Sequence, residues 1–267
     1  MNNNERKMLD LLKRGRDEHG VVSIKAEFEA EGTRPDELLR LLQLAHCADL
    51  KFTLKIGGCE AVSDLLSSKL YGANYIVAPM VETPYALSKF IDAKNKTHGT
   101  NEEAVEFLFN VETQETLVNL DAMIASSRGE IDGVVFGRVD FTLSCGMPRG
   151  AINDRAITDA VLQTARVCAD NDLDLVVGGS VSADAIDALK EIQAVHLTRF
   201  ETRKVIFAAS ALNSSAIEDG IQNAVDFELL WLINKQEYYS RISQEDAQRI
   251  NMMRSRQKSS FMLKSVG

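Results

Sequence analysis

Charged side chains recur at the ends of segments that otherwise read as buried strands. Five short runs rich in β-branched and aromatic residues carry them: residues 22–29 (VSIKAEFE), 52–58 (FTLKIGG), 107–113 (FLFNVET), 134–140 (VVFGRVD) and 173–180 (LDLVVGGS). Side chains two apart on a strand share a face. Val22, Ile24, Ala26 and Phe28 therefore oppose Ser23, Lys25, Glu27 and Glu29, and Phe52, Leu54 and Ile56 oppose Thr53, Lys55 and Gly57. Phe107, Phe109 and Val111 stand against Leu108, Asn110 and Glu112, while Val134, Phe136, Arg138 and Asp140 share one side of the fourth run. An unpaired buried charge costs on the order of several kcal/mol. Strands that converge such residues at their C-terminal ends point to an active site.

The carboxylates set the possible chemistry. Glu112 and Asp140 close two of the strands, each preceded two residues earlier by a polar group, Asn110 and Arg138. Two carboxylates with water oxygens suit Mg²⁺ or Mn²⁺, hard cations that keep several waters and take other ligands from substrate. The alternative is a structural ion network in which Glu112 pairs with Arg138 or Lys55. Glu27, Glu29, Glu112 and Asp140 face Lys25, Lys55 and Arg138, which leaves one negative charge in excess. The Gly178, Gly179, Ser180 turn, followed by a helical segment, offers backbone N–H groups to a phosphate or carboxylate. It also reads as a tight turn with Ser182 as helix cap. Arg199, Glu201 and Arg203 share a face of the last strand, where salt pairing or a place at the barrel mouth are both open to them.

These residues need a scaffold, and the elements alternate between strand and helix. Thr33 and Pro35 open a helix running to about Ala48. Further helices follow over 59–70, from Thr83 and Pro84, and over 114–127, 154–171 and 183–192, with strands over 75–82 and 194–207. The polar stretch 94–103 reads as a loop insertion. Alternation of this kind means a parallel sheet. Seven strands are clear, and an eighth lies within 194–209 or at the N-terminus. Because charge recurs at nearly every strand end, a (β/α)8 TIM barrel fits better than an open sheet, whose function concentrates at one switch point. Residues 1–222 form the barrel, and 223–267 a C-terminal helical extension and tail. In that extension Ser243 and Asp246 resemble a cap opening a second helix, and 254–264 reads as a solvated end. Phe227, Leu230, Trp231 and Ile233 make a wide apolar stripe, to pack on this barrel or on a neighbouring subunit.

Composition narrows the classes. The chain has 267 residues, a net charge of −9 and 45% hydrophobic residues. The acidic balance disfavours nucleic acid. No apolar run approaches the roughly 20 residues that cross a bilayer, and the charged N-terminus does not read as a secretory signal. A soluble cytoplasmic protein without membrane partners is expected. The four cysteines are widely spread, with no metal-knuckle spacing. Neither a dinucleotide fingerprint nor a P-loop motif occurs.

The runs 55–82, 107–124 and 131–146 together resemble the HpcH/HpaI aldolase and citrate lyase β family of the phosphoenolpyruvate/pyruvate barrel superfamily. The most specific pieces are the Glu112–Thr113 strand end followed by a helix, and the stretch from Asp132–Gly133 to Gly137 and Asp140. The resemblance implies that Glu112 and Asp140 bind Mg²⁺ or Mn²⁺. It also implies a carbon–carbon lyase acting on a pyruvate-like keto-acid or hydroxy-acid through a metal-stabilised enolate, in a trimer or hexamer that often exchanges its C-terminal helix. Two departures stand out. Lys55 occupies the place of the usual arginine, keeping charge but losing the planar fork. Lys25, Ala26, Glu27 and Phe28 stand where pyruvate aldolases carry Asp-Gly-Glu-His, so the base histidine is replaced by phenylalanine.

Without that histidine, Glu29 or Glu31 could act through water. His19, His46 and His98 read as surface residues, and His196 opens the last strand at the wrong end of a barrel. Catalytic roles therefore fall to Lys55, Glu27, Glu29 and Arg138, metal ligation to Glu112 and Asp140, and substrate contact to Lys25, Gly179 and Ser180. Two further readings stay open: a Schiff-base aldolase using Lys25 or Lys55, and a non-catalytic barrel serving assembly.

Overall fold

A computed structural model of the chain describes residues 1–99 and 105–264, and side chains as far as residue 257. Eight strands close into a barrel in sequence order: β1 (Val21–Glu27), β2 (Lys51–Lys55), β3 (Tyr75–Ala78), β4 (Glu106–Val111), β5 (Gly133–Gly137), β6 (Asp174–Gly178), β7 (Arg199–Glu201) and β8 (Val205–Ala208). The first seven pair in parallel. β8 runs antiparallel to both β7 and β1, so the sheet is not wholly parallel. The eighth strand lies within 194–209, the first of the two places expected for it, so that the segment read as a strand over 194–207 holds β7 and most of β8, joined by residues 202–204. Three residues suffice for a hairpin, whereas a parallel crossover needs a dozen or more.

The alternation of the strands divides the core in two. Outward side chains such as Ile24, Leu54, Ile76, Phe109, Phe136, Val177 and Phe207 pack under the helices. Inward ones, Tyr75, Val77, Leu108, Val135 and Val176, fill the lumen as a separate cluster. Below them Arg199 lies over the Tyr75 ring at 4.1 Å and meets Glu106 at 3.2 Å.

Nine helices lie among the described residues: α1 (Asn3–His19), α2 (Pro35–Cys47), α3 (Val62–Leu70), α4 (Pro84–His98), α5 (Gln114–Ser127), α6 (Arg138–Ser144), α7 (Arg155–Asp170), α8 (Ile186–Gln193) and α9 (Ile217–Lys264). Thr83 caps α4 by accepting from the Ala86 N–H at 3.1 Å, with Pro84 in the first turn. Thr33 does not cap α2. Its hydroxyl turns back to the Glu27 carbonyl at 2.8 Å, and Arg34 takes the cap position. Residues 94–98 belong to α4 rather than to a loop, since Lys94 and His98 are buried against neighbouring elements; residues 100–104 of that expected insertion lie outside the described residues.

The C-terminal helix differs most from expectation. α9 is continuous through Ser243 and Asp246, through the expected solvated end, and across the 222/223 boundary. Its first half docks antiparallel on α1: Asn223 donates to the Leu11 carbonyl at 2.9 Å, and Asn2 donates to the Asn234 side chain at 2.7 Å. Phe227 and Trp231 are buried in the main core. Lys235 and Tyr239 bond Glu37 at the start of α2. The helix thus packs on its own barrel as far as Tyr239, and every side chain from 240 to 257 is exposed. No helix among the described residues is long and apolar enough to cross a membrane.

Phe227 has no exposed surface, whereas Leu229 two residues on is 56% exposed. Phe227→Ala is expected to lower the unfolding free energy by about 3–5 kcal/mol, and Leu229→Ala to change it by less than about 0.5 kcal/mol. Urea denaturation of the two variants checks the difference.

Candidate active site

The carboxyl end of the barrel opens into a cavity of about 440 Å³. Glu27, Lys55, Gly137, Gly178 and Glu201 are the final residues of β1, β2, β5, β6 and β7, and Glu112 directly follows β4. All six line the cavity. The inward period of the strands delivers these side chains to one place, the face where barrels of this type build their sites.

Charge here is organised around two lysines. Lys25 lies between Glu201, in close contact, and Glu27 at 3.0 Å. Lys55 lies between Glu29 at 3.1 Å and Glu112 at 3.3 Å. Burial acts against the charge on Lys25, but Glu201 and then Glu27 outweigh it and hold the ammonium above the ordinary lysine range. Lys55 is likewise raised: burial opposes its charge and so does nearby Lys25, while Glu112, Glu29 and Glu27 prevail. Burial pushes the Glu27 carboxyl up, yet Lys25 brings it below the usual carboxylate range. Both amines are therefore held protonated, whereas a Schiff-base nucleophile must be neutral.

Glu112 is the most firmly oriented carboxylate. One oxygen accepts from the Met80 N–H at 2.8 Å, and the other from the Asn110 amide at 2.6 Å and from Lys55. Met80 holds a left-handed backbone, φ 51°, a conformation that costs a non-glycine residue on the order of 1–2 kcal/mol. The bond from its N–H to Glu112 accompanies that strained backbone. Glycine is required at two neighbouring positions. A Cβ on Gly178 would meet Glu201 at 2.7 Å, and Gly179, at φ 91°, lies against the backbone nitrogens of Arg138 and Val139.

Asp140 reaches the cavity by a different route from the one expected. The strand stops at Gly137, and Asp140 sits in the first turn of α6. Val134 and Phe136 face the helices instead of the lumen. The Asp140 carboxyl has no hydrogen-bond or ion-pair partner among the described residues. Burial raises its pKa and Glu112 adds to the rise, with Lys55 opposing and Glu29 and Glu27 reinforcing it.

The structure brings Lys25, Glu27, Glu29, Lys55, Glu112, Asp140, Gly179 and Ser180 to this one cavity, and leaves Arg138 out. The Arg138 guanidinium turns away and donates to the Gly178 carbonyl at 3.2 Å, the Gly179 carbonyl at 2.8 Å and Asn153 at 2.9 Å. It fastens the β5 and β6 ends together. Burial lowers its pKa to about 10, which leaves it charged at neutral pH. After the Gly-Gly-Ser turn a 3-10 turn over Ala183–Ala185 runs directly into α8 at Ile186; Ser182 takes its cap position without a side-chain cap bond, and Ser180 accepts a bond from Arg149 at 3.2 Å.

Glu31 bonds Arg203 and Lys204 and does not line the cavity. His19 and His98 are buried rather than on the surface, and His98 bonds Ser68 and the Leu65 carbonyl. His196 bonds the Leu173 carbonyl, just before β6 and so at the opposite end. Arg149, Thr202, Val225 and Glu228 line the cavity without having been singled out beforehand. Nothing in their local sequence marks them, because they arrive from loops and from α9. Six carboxylates and four cations now face the space, so the negative excess is larger than the strands alone indicated.

Divalent-cation binding can be tested against this donor set. No group of three or more His, Cys, Asp or Glu residues close enough to hold a metal occurs among the described residues. Glu112 and Asp140 supply hard oxygens with lone pairs to spare, and the unpartnered Asp140 lies in a field that opposes its own charge. Such a pair fits Mg²⁺ or Mn²⁺, which complete their shells with water and substrate.

The profile of the family described as HpcH/HpaI aldolase/citrate lyase matches residues 59–208. No curated protein sequence matches the chain. Among solved structures, the HpcH/HpaI aldolase of Desulfitobacterium hafniense DCB-2 is similar with a TM-score of 0.58 at 12% identity, over 82% of this chain and 88% of that one. An HpcH/HpaI aldolase/citrate lyase family protein of Burkholderia cenocepacia J2315 gives 0.56 at 13%, over 81% and 99%. RipC of Yersinia pestis gives 0.50 at 13%, over 78% and 88%. At these identities the likeness concerns the fold.

Replacing Lys25 by Met leaves Glu27 and Glu201 buried without a cation, and is expected to cost about 3–5 kcal/mol of stability at pH 7. A carboxylate whose folded pKa is depressed contributes stability above its unfolded pKa, about 4.3, and loses it as the pH falls. The gap between the wild-type protein and Lys25→Met should therefore narrow on acidification, as read by urea unfolding at pH 7 and pH 4.

Proposed function

Because the chain belongs to the HpcH/HpaI aldolase/citrate lyase family, we propose that it is a metal-dependent carbon–carbon lyase acting on a pyruvate-like keto-acid or hydroxy-acid through an enolate. The observation that carries this reading is the meeting of Glu112 and Asp140 in one cavity beside the protonated Lys55. Mg²⁺ or Mn²⁺ held by these two carboxylates would supply Lewis-acid polarisation of the substrate carbonyl.

The protein's own groups account for the rest of the site. Lys55 places a fixed positive charge beside the space where an enolate oxygen develops, the kind of preorganised charge that lowers such barriers most. Its partners Glu29 and Glu112 fix its position. The Met80 N–H and Asn110 orient Glu112, as outer-shell partners orient metal ligands elsewhere. Lys25, clamped by Glu27 and Glu201, offsets part of the negative charge at the floor of the cavity. Arg149, whose only hydrogen bond among the described residues is to the Ser180 hydroxyl, is available at the rim for an anionic substrate. The two lysines disfavour Schiff-base chemistry on the same barrel, because each is held in its charged form. The exposed residues 240–257 of α9, with Ile242, Ile250, Met252 and Met253, extend beyond the barrel that supports the first half. In proteins most helical stability comes from packing an apolar face, and these exposed apolar residues support packing against further copies of this chain in a homo-oligomer. Light scattering should then give a mass several times that of one chain.

Calorimetric titration of metal-stripped protein with Mn²⁺ tests the main reading. Binding should tighten when oxalate, a planar stand-in for the enolate of pyruvate, is present. It should disappear in Glu112→Gln and Asp140→Asn, and weaken about 10–100-fold in Asn110→Ala. Failure of Mn²⁺ to bind with or without oxalate, or an adduct on borohydride reduction with pyruvate, would overturn it. Asp140 also predicts a stability effect. Its raised pKa means that the ionised form opposes folding, so Asp140→Asn should be more stable than the metal-free wild type at pH 7. That gain should shrink towards zero as the pH falls to the ordinary aspartate pKa of about 3.9.

A further inference from the structure

The proposed reaction needs a group that moves a proton, and the histidine position of the resembled aldolases holds Phe28. The other histidines do not fill the gap. His19 and His98 are buried in helix packing, His46 is exposed on α2, and His196 is at the opposite end of the barrel. None of the four lines the cavity.

The cavity carboxylates can be sorted by what already holds them. Glu27 and Glu201 clamp Lys25, and Glu29 is paired with Lys55. Glu112 has three donors. Only Asp140 and Glu228 have no hydrogen-bond or ion-pair partner among the described residues. Asp140 belongs to the candidate cation pair. Glu228 remains, on the docked half of α9 and half-buried at the cavity wall beside Val225. Its helix is pinned there by the burial of Phe227 and Trp231 on either side.

We infer that Glu228 is the proton-transfer residue of this site, contributed by the C-terminal helix. The inference rests on the lyase reading above. In the cleavage direction the Glu228 carboxylate takes the proton of the hydroxyl group, and the adjacent carbon–carbon bond breaks. That bond's electron pair passes into the enolate, an aldehyde or ketone leaves, and Glu228 returns the proton to the enolate carbon. No other reactant is required. In the reverse direction the same carboxylate removes a methyl proton from pyruvate.

The surroundings suit that task. The charges that act on Glu228 are Arg203 and Lys204 of the β7–β8 turn, Glu31 after β1 and Glu27 at the end of β1. Both cations are already engaged by Glu31. Burial raises the Glu228 carboxyl; Arg203 and Lys204 oppose the rise, Glu31 and Glu27 add to it, and the balance is upward. A carboxyl raised toward the working pH is a better proton carrier than an ordinary one.

Pyruvate methyl exchange with D₂O in the presence of Mg²⁺, followed by proton NMR, tests the role without knowing the aldehyde. Glu228→Gln should slow exchange by about 10²–10⁴-fold while leaving oxalate affinity unchanged. Glu228→Asp should retain part of the rate. The acidic limb of the wild-type pH–rate profile, which reports loss of the carboxylate, should be missing from the residual rate of Glu228→Gln. Exchange in Glu228→Gln at the wild-type rate would overturn the inference and leave the lyase reading intact. So would a wild-type protein that binds oxalate but exchanges no protons. Absence of both oxalate binding and exchange in the wild type would overturn both.

Discussion

The site depends on how charge is carried into a closed barrel. Closure leaves every second strand residue no choice but to face the lumen, and at the carboxyl end those residues are acids and lysines. Each lysine is shared by two carboxylates, Lys25 by Glu27 and Glu201, and Lys55 by Glu29 and Glu112. Pairing of this kind offsets the desolvation that a lone buried ion would suffer. It also fixes the charged atoms in space, so the groups that stabilise the fold of the mouth are the same ones that pre-set its field. The apolar plug of Tyr75, Val77, Leu108, Val135 and Val176 lies beneath them and separates the working end of the lumen from the opposite one.

Against this background the unpaired groups carry information. Asp140 and Glu228 are the two cavity carboxyls that the network does not satisfy, and both have raised pKa values. Neither comes from a strand: one sits on the short α6 and the other on α9. A rigid, ion-paired ring thus holds its reactive members on elements appended around it. Arg138 shows how the ring is kept closed, its guanidinium fastening the loops after β5 and β6 from behind the cavity wall.

The C-terminal helix links stability to this site. Its first half belongs to the core through Phe227 and Trp231, and to the mouth through Val225 and Glu228. The antiparallel β8 makes this possible. It returns the chain to the amino end of the barrel beside Gly20, from which α9 climbs along α1 to the rim. A parallel eighth strand would have left the chain at the carboxyl end, and α9 could not have approached the mouth from below.

The sequence by itself determined the barrel, the identity of its lumen-facing charges on β1 and β2, and Glu112 at the end of β4. It did so because a strand's period of two is local and a strand end is visible from its composition. That Phe28 stands in the place of a histidine was legible only through the resemblance to the aldolase family. The tertiary structure decided what local pattern could not reach. Arg138 shares a spacing with Asp140 yet leaves the cavity, because a helix begins at residue 138 and rotates its neighbours by about 100° each instead of alternating them. The segment 194–207 became a hairpin because closing the ring needed an eighth strand within a short connection. Glu201, Arg149 and Glu228 joined the site through contacts between elements far apart in sequence. Which carboxylate is paired and which stays free is a property of those long-range distances, and no single segment of the chain encodes it.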